Sequence, residues 1–211
     1  MKNSRLLLGL LVWGLWHSSP VALAETWRMD FDSDAAGRPP AFLDFETLLV
    51  PGPANWMVVA DRNPPSAPNQ VTQILRNRPP GSIAVALRRN VALRDGKLSV
   101  GLKKLTASAG LVLRMAGPKD FLLLLLDCSS GEARLTSYRH GVPTELARGK
   151  AAIDLDWGIL RVDLSGPTVS ASWNEKELLQ GLDPKPATGR VGLATEGPGF
   201  ASFDELVVVT P

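Results

Sequence analysis

Histidine and cysteine are nearly missing from this 211-residue chain, which has two His and one Cys. One thiol cannot close a disulfide within the chain, and a zinc site needs several His or Cys ligands. Cys128 follows the Leu122–Leu126 run and is expected to be a buried, inert thiol. Outside the N-terminal segment His140 is the one imidazole, and it precedes Gly141 in an expected hairpin turn. No G-x-S-x-G elbow is present to nominate a serine for a triad with it. Neither G-x-x-x-x-G-K-[ST] nor G-x-G-x-x-G occurs, so phosphate-cradling loops of those types are excluded. Tyrosine is down to a single residue, Tyr138. No apolar run approaches the roughly 20 residues of a membrane-spanning helix.

What the N-terminus does have is the pattern of an export leader. Lys2 and Arg5 precede the apolar run Leu6–Trp16, His17 to Pro20 break it, and Ala22-Leu23-Ala24 supplies a small-x-small cleavage site. Cleavage after Ala24 is expected, leaving Glu25–Pro211 as one domain in the periplasm or the medium, with no transmembrane anchor. No cysteine follows the run, so a lipoprotein signal is not expected. The leader also accounts for the charge. The chain carries 23 Lys and Arg against 21 Asp and Glu, and both surplus cations, Lys2 and Arg5, lie in the leader. A formally neutral remainder has no concentrated basic patch, and nucleic acid is not an expected partner.

The rest reads as short strands. Trp27, Met29 and Phe31 alternate with Arg28, Asp30 and Asp32, and Leu98, Val100 and Leu102 with Lys97 and Ser99. Leu160, Val162 and Leu164 alternate with Arg161 and Asp163, and Val169, Ala171 and Trp173 with Ser170 and Ser172. Turn signals punctuate these runs at Asp95-Gly96, Ser130-Gly131, His140-Gly141, Ser165-Gly166-Pro167 and Asn174-Glu175. The pattern predicts an all-β sandwich of two antiparallel sheets. Phe121–Leu126 does not alternate, which predicts a central strand covered on both faces. Three X-Pro-Pro sequences, at Arg38, Asn63 and Arg78, predict extended loops, and the segments Ala35–Ala41 and Asp61–Asn69 are expected to run over the surface.

Asp30, Asp32 and Asp34 are spaced two apart, so a continuing strand sets all three on one face. A solvated strand end is the expected reading, the alternative being a structural calcium site of Asp30 and Asp32, completed by loops or by Asp204 if the terminal strands pair. The spacing is not that of an EF-hand, since the glycine stands at Gly37 and the closing position is Ala41. Arg114 ends an apolar run and needs a carboxylate or a ligand to satisfy it. Trp56, Trp157 and Trp173 sit in strand-like runs, where each serves as core filler or as a sugar-stacking platform.

The order of several phrases resembles the concanavalin A-like (LamG/glucanase-type) jelly rolls, most nearly the secreted bacterial 3-keto-disaccharide hydrolase-like domains. They are Phe31-Asp32 with Gly37 and Pro40; Asn55 to Val59; Pro68 to Gln73; Asp95 to Val100 leading into Ala109 to Arg114; Trp157 to Val162; Gly189 to Leu193; and Phe203 to Leu206. The resemblance implies a jelly-roll sandwich that binds a glycan or another ligand without catalysis, with Gln73, Arg114 and Asp127 orienting it. Hydrolysis or lysis of glycosides is the alternative, with Asp127 and Glu132 as the acid pair. The E-x-D-x-x-E of sandwich glucanases is absent. Similar proteins carry Tyr-Tyr and polar residues where this chain has its leucines, which points instead to an apolar ligand or an envelope protein partner.

Overall fold

The computed structural model describes residues 24–103, 108–153 and 156–211. Apart from Ala24 the expected leader lies outside them. Fifteen strands follow in chain order: β1 (Thr26–Met29), β2 (Leu43–Leu48), β3 (Trp56–Ala60), β4 (Asn69–Gln73), β5 (Ile83–Leu93), β6 (Gly96–Lys103), β7 (Ser108–Gly117), β8 (Asp120–Asp127), β9 (Glu132–Arg139), β10 (Val142–Lys150), β11 (Trp157–Ser165), β12 (Thr168–Trp173), β13 (Lys176–Leu182), β14 (Gly189–Glu196) and β15 (Ala201–Val209). Sheet A has the order β13-β12-β11-β6-β15-β4-β3, with β1 also on β15, and sheet B has the order β10-β9-β8-β7-β14-β5-β2. Neighbouring strands are antiparallel, and the chain switches sheets repeatedly, staying in one sheet only through β3–β4, β7–β10 and β11–β13. Among the described residues no helix is long and apolar enough to cross a membrane.

The alternating runs fold as their period requires. Leu98, Val100 and Leu102 of β6, Leu160, Val162 and Leu164 of β11, and Val169, Ala171 and Trp173 of β12 all enter one core between the sheets. Strand β8 is buried on both sides. Leu122, Leu124 and Leu126 belong to that core, while Phe121, Leu123 and Leu125 join Val85, Leu87, Val112 and Ala194 in a second apolar cluster. Register puts this second cluster on the outer face of sheet B, since Leu123 pairs with Val112 and Leu87 with Gly192. Cys128 is buried, as expected. His140 (φ +52°) and Gly141 (φ +81°) both adopt the left-handed region, as do Asn174 (φ +48°) and Glu175 (φ +68°). Two consecutive positive φ values are the signature of a tight hairpin whose twist matches its strands.

One expectation fails locally. Strand β1 stops at Met29, and Phe31 turns into the left-handed region at φ +63° while its ring enters the core at 2% exposure. The chain therefore bends between Asp30 and Asp32, and the three aspartates do not share a strand face.

Arg114 is the largest fully buried side chain of the structure. It sits at a break in the β7–β8 register, at φ +48°, a strained conformation for a residue with a Cβ. From there its guanidinium donates to the carbonyls of Arg94 (2.8 Å) and Gly166 (2.6 Å) and to the Asp183 carboxylate (3.0 Å). Asp183 is itself fully buried and also accepts from Arg139 (3.0 Å). This network ties together the loops that follow β5, β11 and β13. Removing Asp183 leaves the buried guanidinium with two carbonyls and the partly exposed Asp95 carboxylate at 3.6 Å, so Asp183→Ala is expected to cost about 3 kcal/mol. Replacing both partners with apolar residues, Arg114→Met with Asp183→Leu, should cost less than that single change in urea unfolding.

Candidate functional site

Gln73, Arg114 and Asp127 are not brought together. Gln73, on the core side of β4, is fully buried, and its amide donates to the carbonyls of Leu75 and Gly199 (3.3 Å each) and accepts from the Leu75 N–H (3.0 Å). It fastens β4 to two loops and presents nothing to a ligand. Arg114 is fully buried and pairs with Asp183, a structural acid of the kind that was its alternative partner. Asp127 ends β8 and caps the following turn, accepting from the Ser129 N–H (2.8 Å) and hydroxyl (2.6 Å). Those bonds, the Ser129 hydroxyl first, hold its carboxyl below the ordinary range. Glu132, across the same turn, is exposed and lies 3.9 Å from Arg148.

Asp32 and Asp204 do meet, through Ser66. The Ser66 hydroxyl donates to Asp32 Oδ2 (2.5 Å) and its N–H to Asp204 Oδ2 (2.6 Å). Asp32 Oδ1 accepts from the Asn69 N–H (3.2 Å), and Asp204 Oδ1 from the Glu205 N–H (2.7 Å). Asp30 turns away to accept from the Asp32 N–H (3.2 Å). Among the described residues no three His, Cys, Asp or Glu side chains converge as metal ligands. Calcium wants six to eight oxygens, and here the carboxylate oxygens of Asp32 and Asp204 are already engaged by protein donors. The residues present do not fit a closed calcium site. Burial is the main force on Asp204, with Glu205 and Asp32 adding to it against the Ser66 and Glu205 N–H bonds, and its carboxyl is pushed up to about 7.

The sheets differ in what their outer faces offer. That of sheet B is apolar at its centre, with Arg134, Thr136, Tyr138 and Glu196 around a small hollow of about 40 Å³ beside Leu123 and Leu125. Sheet A carries a groove of about 520 Å³ walled by Ser99, Arg161, Asp163, Ser170, Ser172 and Glu177, with Val207 and Val209 on its floor. A further hollow of about 400 Å³ shares Ser99, Arg161 and Val207 with it and continues past Gly101 and Ile159 to Arg28 and Glu205. Together they cross β13, β12, β11, β6, β15 and β1, five strand spacings or about 24 Å. Within the groove Arg161 pairs with Glu175 (3.2 Å) and Lys97 with Asp163 (3.4 Å). Arg28 pairs with Glu205 in the adjoining hollow. These pairs are exposed, add little to stability, and leave their remaining donors and acceptors to water or a ligand.

Trp157 borders this track, whereas Trp56 and Trp173 are core fillers at 3% and 5% exposure. Gly101 explains the placement. A Cβ there would lie 2.9 Å from Pro65 Cγ and 3.6 Å from Trp157 Cε3, so its absence lets the indole and Pro65 settle on the sheet. The Lys103 ammonium lies 5.6 Å from the indole centroid and pairs with Asp61, whose carboxyl it holds below the usual range. The sequence had marked the polar wall residues as outward-facing, but nothing local revealed that β6, β11, β12 and β15 lie side by side.

No family model and no curated protein matches this sequence. Solved structures do match in fold. A protein of unknown function from Shewanella oneidensis MR-1 aligns at a TM-score of 0.57 and 12% identity, over 90% of this chain and 88% of that one. A Bacillus licheniformis β-glucanase aligns at 0.56 and 10% identity, over 88% and 98%. The carbohydrate-binding module CBM66 of Bacillus subtilis aligns at 0.54 and 15%, over 72% and 94%. The fold is the concanavalin A-like jelly roll.

The Asp204 geometry predicts a pH dependence. A carboxyl whose pKa is higher folded than unfolded stabilises the fold below its ordinary value of 3.8 and loses that contribution as pH rises through about 7. The melting temperature should therefore fall between pH 5 and pH 8, and Asp204→Asn should flatten that fall. An unchanged slope in the variant would remove Asp204 as its source.

Proposed function

We propose that this is an exported, non-catalytic glycan-binding module that lays an extended sugar chain across the outer face of sheet A. The observation that carries this is the open track itself, an aliphatic floor walled by convergent hydroxyl, carboxylate and guanidinium groups. Sugars need that combination, with apolar ring faces on Val207, Val209 and Ile159 and hydroxyls toward Ser99, Arg161, Asp163 and Ser172. Trp157 adds an aromatic edge at one end. Charge in the track is mixed and mostly paired, which favours a neutral chain over a polyanion.

The pairing of two of the groove acids supports binding over turnover. Asp163 and Glu175 face basic partners, and the acid pair expected for hydrolysis, Asp127 and Glu132, flanks a turn of sheet B outside the track. The similarity to a carbohydrate-binding module supports the same reading through the fold alone.

The test is a glycan array followed by calorimetric titration of the best oligosaccharide. Arg161 is exposed, so Arg161→Ala should keep the melting temperature while weakening binding about tenfold, or about 1.4 kcal/mol. Equal affinity in the variant, or reducing-end release from the sugar by the wild type, would overturn this reading.

A further inference from the structure

We infer that the side-chain amide of Asn69 does the work of a structural cation here, fixing the N-terminal loop to sheet A without a metal. The loop after β1 turns three backbone carbonyls toward one point, those of Phe31, Asp32 and Asp34. Converging carbonyls beside carboxylates are the surroundings a hard cation seeks. That point is taken by Asn69 Nδ2, which donates toward the three oxygens at 3.4, 3.3 and 3.1 Å. An amide nitrogen has two hydrogens, so one of the three acceptors shares a donor, a weaker arrangement than ion coordination but one without an ion to recruit.

The neighbours fit an amide and not a metal. The Asn69 N–H donates to Asp32 Oδ1, so one residue grips the loop through both its backbone and its side chain. Ser66 gives one donor to Asp32 and one to Asp204, bridging two carboxylates that a cation would otherwise have joined. Asn69 is the first residue of β4, only 7% exposed, and β4 pairs with β15, which carries Asp204. The amide therefore joins the loop to the sheet where a metal would have joined them.

The experiment melts the wild-type protein and the variants Asn69→Asp and Asn69→Ala, each in EDTA and in millimolar calcium chloride. The wild type should melt at one temperature in both. Asn69→Ala should melt lower in both, having lost the donors without gaining a ligand. Asn69→Asp sets a carboxylate among the three carbonyls, so it should melt several degrees lower in EDTA and regain most of the loss in calcium, as a ligand of the folded state must produce. Calorimetric titration of the wild type with calcium is the second measurement and does not depend on a variant folding. Saturable calcium binding by the wild type, or a wild-type melting point that rises in calcium, would overturn the inference. An Asn69→Asp protein indifferent to calcium would also overturn it, because the amide would then not stand at a cation position.

Discussion

The leucine run of β8 serves two apolar clusters at once. Leu122, Leu124 and Leu126 fill the space between the sheets, and Phe121, Leu123 and Leu125 join the aliphatic cluster on the far side of sheet B. A strand with no polar face makes the middle of its sheet's outer side apolar, and Val112 of β7, Ala194 of β14 and Val85 and Leu87 of β5 extend that patch, while β9 on the other side sets Arg134, Thr136 and Tyr138 beside it. In the proposed function, polar recognition falls to sheet A. There β11 and β12 alternate strictly between core and outward residues, and β6 turns Lys97, Ser99 and Lys103 outward while its Gly101 lies beneath Pro65 and Trp157.

The ends of the sandwich are held differently from its middle. Between the sheets the stabilising term is apolar burial, whereas polar side chains bind the loops. Arg114 and Asp183 join three loops at once. Asn69, Ser66 and the aspartates around them hold the N-terminal loop and the Asp61–Pro68 segment, which carries Pro65 to the edge of the groove. Each connection is a satisfied buried polar group whose loss leaves an orphaned partner, and such groups fix one arrangement of loops more sharply than an apolar contact does.

Much of the fold was legible because it rests on local periodicity. The alternation at Leu98–Leu102, Leu160–Leu164 and Val169–Trp173 marked the core-facing residues, the non-alternating leucines marked a strand buried on both sides, and His140-Gly141 and Asn174-Glu175 marked hairpins. The site was far less legible, since its parts meet only through pairings across the chain. Arg161 and Ser99 are paired across β11 and β6, and Val207 pairs with Ser99 on the other side. The Asp183 that claims Arg114 lies 69 residues away. The aspartate spacing at 30, 32 and 34 misled because it assumed a strand would continue where Phe31 instead turns inward. Trp157 differs from Trp56 and Trp173 only in the face of the sheet it occupies, and no local signal distinguishes them.

The most direct test of the account is a heteronuclear NMR titration of the protein with a linear β-glucan oligosaccharide or with the strongest ligand from an array. Amide shifts concentrated on β6, β11, β12 and the Val207–Val209 end of β15 are the predicted result, with sheet B silent. Shifts concentrated on the outer face of sheet B, around Leu123, Leu125 and Val112, would contradict it and make the apolar sheet the working face.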